Sequence, residues 1–176
     1  MKKLLGMMLV TAGLVVVARG DEAAETALIR KKALSLVESI QKGNYALLAD
    51  LTYPKVVKMA GGKEKLIDAV TRQTEIMKAQ GVTITRVAVG QPGKRASKGT
   101  NSFVIVPATT EVSTPAATIV AKSYLLGISP DGGKTWTFIE GRGLSTKERR
   151  DLILPEMPDG FRLPQLQQPE ITKKTQ

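Results

Sequence analysis

An α+β fold, with N-terminal helices packed on a curved antiparallel sheet of about four strands, follows from two changes of pattern along this 176-residue chain. Apolar residues recur at three- and four-residue spacing between residues 22 and 80, as on the buried faces of helices. From residue 82 to residue 140 that spacing gives way to β-branched and alternating stretches broken by glycine and proline, as in strands. Helices first and antiparallel strands second gather the helices on one face of the sheet. Strands of about ten residues twist and curl, so the sheet is expected to wrap the helices as a cone-shaped roll.

A leader precedes the roll. Lys2 and Lys3 form a basic start, an apolar run extends from Leu4 to Val17, and Ala18 and Gly20 place small residues ahead of a cut at Asp21. This is the layout of a cleaved secretory signal peptide. A run of about 14 apolar residues is shorter than the roughly 20 that span a bilayer. The expected organisation is a signal peptide at 1–20, the roll domain at 21–154 and a proline-rich, partly disordered tail at 155–176. The protein is expected to be exported, periplasmic or extracellular. Cysteine is absent, so export brings no disulfide framework and stability must come from the core. Lys2, Lys3 and Arg19 leave with the leader and no acidic residue does, so the formal charge falls from +10 to +7.

The first helix is read from Glu22 to Lys42, with Ile29, Ala33, Leu36, Val37 and Ile40 on one face. Asp21, Glu22 and Glu25 oppose the positive helix start, and Gly43 is placed to end it. A short helix from Tyr45 to Leu51 carries Leu47, Leu48 and Leu51, and must stop near Tyr53 because Pro54 disfavours helix before it. Another runs from Lys63 to Gln80, between Gly61-Gly62 and Gly81, with Leu66, Ile67, Val70, Gln73 and Met77 on one side. Strands follow at Val82–Val89, Phe103–Val112, Thr118–Ile128 and Thr135–Glu140. Pro107 marks a bulge or an edge position in the second of them. The loop from Gly90 to Gly99, with Lys94, Arg95 and Lys98, reads as a solvated hairpin tip. Ser145 and Glu148 form a capping box for a helix over Thr146–Leu152. Pro155, Pro158, Pro164 and Pro169 make the remainder extended. Phe161, Leu163 and Leu166 are available to pin its first half, and disorder is expected beyond Gln167.

One motif has a name. Ser129-Pro130-Asp131-Gly132-Gly133-Lys134-Thr135-Trp136 reads S-x-D-x-G-x-T-W and resembles an Asp-box, the hairpin found in sialidase propellers and other secreted proteins. Asp131 is placed to accept from backbone N–H groups of its own turn. Gly132 and Gly133 permit positive φ, and Trp136 can fold across the base of the hairpin. Ser129, Asp131, Gly133 and Trp136 are therefore read as a structural turn. A propeller carries one such box per blade, and this chain has one box and is too short for a propeller.

The order of elements over about residues 22–142 resembles the cystatin-like α+β roll of the nuclear-transport-factor-2-like superfamily, which includes polyketide cyclase-like proteins and ketosteroid isomerase. The resemblance implies a pocket at the mouth of the cone and a homodimer formed through the sheet. Some members are enzymes and many are binding modules, so the fold does not choose the function. In such a roll Tyr53, Glu75, Glu111, Tyr124, Trp136 and Glu140 are the polar or aromatic residues able to line the pocket. Tyr124 and Trp136 stand in neighbouring strands, where a shared face would put both in it.

Histidine is absent as well as cysteine. That removes the usual base near neutral pH, the Ser-His-Asp triad and the common zinc sets. No residue is assigned a catalytic or metal-binding role, and no cofactor motif is present. The expected function is non-catalytic binding of a small apolar molecule or a protein partner in the cone. Beside it stand an envelope protein docking on anionic surfaces through its basic charge and its Lys173-Lys174 tail, and an isomerase, dehydratase or cyclase using Asp or Glu with Tyr. Three Tyr, three Phe and one Trp are too few aromatics to favour a nucleic-acid partner.

Overall fold

A computed structural model describes residues 16–175; residues 1–15, most of the expected leader, lie outside them. Helix α1 (Val16–Gln41) buries Ile29, Ala33 and Leu36. It ends where Gly43, at φ 69°, turns the chain and returns its N–H to the Ile40 carbonyl at 3.2 Å. Asn44 then caps α2 (Tyr45–Leu51) by accepting from the Leu47 N–H at 3.2 Å. Pro54 opens α3 (Pro54–Met59), where a missing N–H costs nothing; the sequence reading had only a corner here. Helix α4 (Lys63–Ala79) lies against α2 and α3. Among the described residues no helix is long and apolar enough to cross a membrane.

Six antiparallel strands form one curled sheet, a half-barrel: β1 (Thr83–Val89), β2 (Ala96–Lys98), β3 (Asn101–Ser113), β4 (Ala117–Ser129), β5 (Thr137–Glu140) and β6 (Glu170–Lys173). The order is β1-β3-β4-β5. β2 pairs with β3 beyond the end of β1, and β6 pairs with β4 beyond the end of β5. β3 and β4 pair without interruption from Ser102↔Ser129 to Ser113↔Thr118. Pro107 therefore sits in no bulge. Its carbonyl accepts from the Gly90 N–H at 2.8 Å, so its nitrogen also faces the side where β1 has just ended, and no ladder bond is lost. The irregularity lies in β1, between Ile84 and Arg86.

Alternation along this long pair gives the sheet two apolar faces. Towards the helices, Val104, Val106, Ala108, Leu125, Trp136 and Phe138 pack on Ile29, Ala33, Leu36, Leu48 and Leu51. Gly127 makes room on this face. A Cβ there would stand 2.8 Å from Val104 Cγ1, 3.1 Å from the Phe138 ring and 3.3 Å from the Trp136 ring. On the outer face Phe103, Tyr124, Leu126, Ile128 and Ile139 form a second core, covered by chain that follows β5.

That cover begins with a 3₁₀ turn (Gly141–Leu144) and α5 (Lys147–Ile153). Thr146 caps α5, accepting from the Arg149 N–H at 3.3 Å, while Ser145 closes the preceding turn. The expected Ser145 capping box is thus displaced by one residue. Residues 154–169 then cross the outer face as a strap. Phe161 meets Phe103 with ring centroids 5.8 Å apart, and Lys98 pairs with Glu156 at 2.5 Å. The segment beyond Gln167, expected to be disordered, supplies β6, with Lys122 and Glu170 paired at 2.6 Å.

Candidate binding site

The residues expected to share one pocket are spread over the molecule. Trp136 faces the helices and Tyr124 the outer core, so the two lie on opposite faces of the sheet. Glu75 is exposed on α4, a helix with no buried residue. Glu111 lies on the outer face near the β1 edge and accepts from Thr85 Oγ1 at 2.9 Å. Glu140, exposed at the end of β5, accepts from Ser123 Oγ at 2.5 Å and the Arg142 N–H at 2.9 Å. Tyr53 is half-buried against the outer core, and burial pushes its phenol pKa up. Apolar side chains from both layers pack together between helices and sheet. Among the described residues the buried polar side chains are Ser39, Ser102 and Ser129, so no carboxylate stands there as a base.

Arg95 pairs with Glu25 at 2.8 Å and Lys98 with Glu156, so the 90–99 loop, which contains β2, is tied down at both ends. Lys174 donates to Ser113 Oγ at 2.8 Å and the Thr114 carbonyl at 2.7 Å. The strap covers one half of the outer face, and the open half carries Arg86, Thr109, Glu111 and Lys122. A dimer through the sheet would meet charge there rather than an apolar surface.

The turn at 129–136 is closed by its own side chains. Ser129 Oγ donates to Asp131 Oδ1 at 2.7 Å and accepts from the Gly133 N–H at 2.8 Å. Asp131 Oδ1 accepts from the Thr135 N–H at 2.9 Å, and Oδ2 from Thr135 Oγ1 at 2.8 Å. Trp136 Nε1 donates to the Gly133 carbonyl at 3.0 Å. Gly132 and Gly133 adopt φ of 71° and 105°. The Thr135 N–H, then the Ser129 and Thr135 hydroxyls, lower the Asp131 pKa from 3.8 to about 2. A lowered carboxyl pKa means that the folded state binds the proton less well than the unfolded chain. The Asp131 contribution is therefore complete above 3.8 and is lost as pH falls through about 2. Asp131→Asn is expected to flatten this acid limb in thermal melts recorded across that interval; an acid limb identical to the parent's would refute the assignment.

What the outer face leaves open is a groove of about 620 Å³ between β4, the 3₁₀ turn, α5 and the strap. Leu144, Met157, Phe161 and Leu163 supply apolar walls, and Arg150 and Arg162 are its charged lining residues. Tyr124 forms its base. The ring is 4% exposed and lies on Gly141, where a Cβ would come within 2.6 Å of Tyr124 Cε1. Its hydroxyl bonds to no described residue, whereas every fully enclosed side-chain polar atom among them has a partner. The hydroxyl is therefore not fully enclosed, and Tyr124 lines both this groove and its smaller neighbour. Burial raises its pKa, the Glu140 charge adds to the rise, and Arg150 opposes it. Arg150 Nη1 donates to the Leu144 and Ser145 carbonyls at 2.9 and 3.2 Å, which fixes the guanidinium at the groove wall. A smaller groove of about 290 Å³ shares Tyr124, Pro164 and Gln165 and continues towards Lys122.

Of these residues Tyr124 was expected in the cone under the helices, on the other face of the sheet, and Phe161 and Leu163 were read as pins of the tail. Arg150 was not legible, because it stands in the charged run Lys147–Asp151, where nothing in the spacing separates it from a solvated helix face. A larger hollow of about 740 Å³ lies between α1, the 90–95 loop and the 129–136 turn. Its charges are Glu22 and Glu25 against Lys94, Arg95 and Lys134, and no buried polar group is left open to it. Among the described residues no cluster of acidic side chains could hold a metal ion. Comparison of the chain with protein-family models, with curated proteins and with solved structures gives no match.

Proposed function

We propose that the protein is a non-catalytic binding protein whose ligand is a small, mostly apolar molecule held in the groove between the outer sheet face and the strap. One observation carries this reading: a tyrosine buried to its ring, with an unpartnered hydroxyl, at the base of a groove of about 620 Å³ that has Met157, Phe161 and Leu163 in its walls beside two arginines. That volume lies within the roughly 300–1,000 Å³ of small-molecule sites. Among the described residues no carboxylate is buried between helices and sheet, which supports binding over isomerase or cyclase chemistry in a cone. The leader-like pattern of residues 1–20 supports an exported protein, and the order of helices and strands supports the nuclear-transport-factor-2-like reading of the roll.

The test is a titration with 2-naphthol, an aromatic ring with one hydroxyl, followed by NMR. Shifts are expected at the Leu144 and Leu163 methyl groups and not at the Trp136 indole N–H, which lies on the other face. Tyr124→Phe is expected to weaken binding by roughly threefold to tenfold, the worth of one hydrogen bond. Perturbation centred on Trp136, or an unchanged affinity in the variant, would remove the groove from consideration.

A further inference from the structure

We propose that the ligand of this groove is an anionic amphiphile, an apolar body ending in a carboxylate, with the carboxylate held by the Arg150 guanidinium and the Tyr124 hydroxyl. The proposal rests on the groove being the binding site. Arg150 and Arg162 are the charged residues lining it, and neither forms an ion pair with a described residue. Guanidinium has five N–H donors in a fixed plane. Arg150 spends Nη1 on the Leu144 and Ser145 carbonyls, which orients the group and leaves its other donors for a ligand. A planar fork beside a phenol O–H matches the two oxygens of a carboxylate, and charge-assisted bonds of this kind are the strong ones. Glu140 is the carboxylate that acts on Tyr124. Its oxygens are engaged by Ser123 Oγ and the Arg142 N–H, and it does not line the groove. Met157, Phe161, Leu163 and Leu166 offer the apolar body its surface.

The experiment is calorimetric titration of the full chain with dodecanoate, dodecanol and dodecylammonium, the two ions below the concentration at which they form micelles and the alcohol below its solubility limit. These share a tail and differ in charge. Dodecanoate is expected to bind about tenfold more tightly than dodecanol and dodecylammonium most weakly, with the dodecanoate preference shrinking as salt rises. Arg150→Gln is expected to bring dodecanoate to the dodecanol level. Because Arg150 also holds the 3₁₀ turn, dodecanol affinity in each variant reports whether the groove is intact. Arg162→Gln, which leaves that turn alone, is expected to take away a smaller part of the preference. Equal binding of dodecanoate and dodecanol by the parent protein would overturn the anionic assignment and leave the groove reading standing. Binding of none of the three would overturn the groove reading itself. A dodecanoate preference that survives both substitutions would overturn the role given to the two arginines.

Discussion

Trp136→Ala is expected to lower the unfolding free energy by about 3–5 kcal/mol, the usual cost of truncating a buried large aromatic. The side chain is 1% exposed and lies in the helix-facing core with Val104, Leu125 and Phe138. Its ring stands over Gly127, which has no side chain to move into the space left behind. The Nε1–Gly133 bond that closes the turn is lost with it. Small domains have about 5–15 kcal/mol of stability in all, so this one change would bring the protein near the edge of folding. Urea denaturation followed by circular dichroism measures it, since the variant has no tryptophan to report by fluorescence. A loss below about 1 kcal/mol would mean that the ring is not enclosed as described.

Phe103→Ala is expected to cost a similar 3–5 kcal/mol, with a different distribution. Phe103 is fully buried on the outer face and is the ring that Phe161 meets. Removing it takes the floor from under the strap. Amide hydrogen exchange is expected to rise most over residues 154–166, while α1 and α2, on the other side of the sheet, follow only the global loss. Binding in the groove should weaken in parallel, because Phe161 and Leu163 form its wall. Uniform acceleration of exchange over helices and strap alike would contradict the separation of the two cores.

The sequence made the local elements legible and left their relative placement open. Ile29, Ala33 and Leu36 announce α1 because a helix must bury one stripe. Ser129, Asp131 and Gly133 announce a turn because its hydrogen bonds are made within eight residues. Tyr124 and Trp136 show where such reading stops. Alternation places Trp136 and Phe138 on one face of their strand, but only the pairing Leu125↔Glu140 decides which β4 residues join them. A shift of one residue exchanges the faces of a strand, and nothing local specifies it. β2 and β6 were missed for another reason: three and four residues are too few to show a period. The outer core was read only in part: Phe161 and Leu163 stood out as pins of the tail, but with no regular element over residues 154–169 nothing marked the sheet face that they cover.

The strap that covers the outer face has a consequence for the order in which the fold can be completed. A chain emerges from its place of synthesis or from a membrane pore amino end first. The helices and strands β1–β5 are all available once residue 140 has appeared, yet one apolar face of the sheet is then covered only by Tyr53 and Val56. Phe103, Leu126, Ile128 and Ile139 wait for Leu144, Ile153 and Phe161 to arrive. Until then the half-made domain presents a sticky surface, the kind that holding chaperones grip and that drives aggregation. The last stretch of polypeptide thus acts as the closing step of assembly, and the domain is protected from its neighbours only when its own carboxyl-terminal segment has come home.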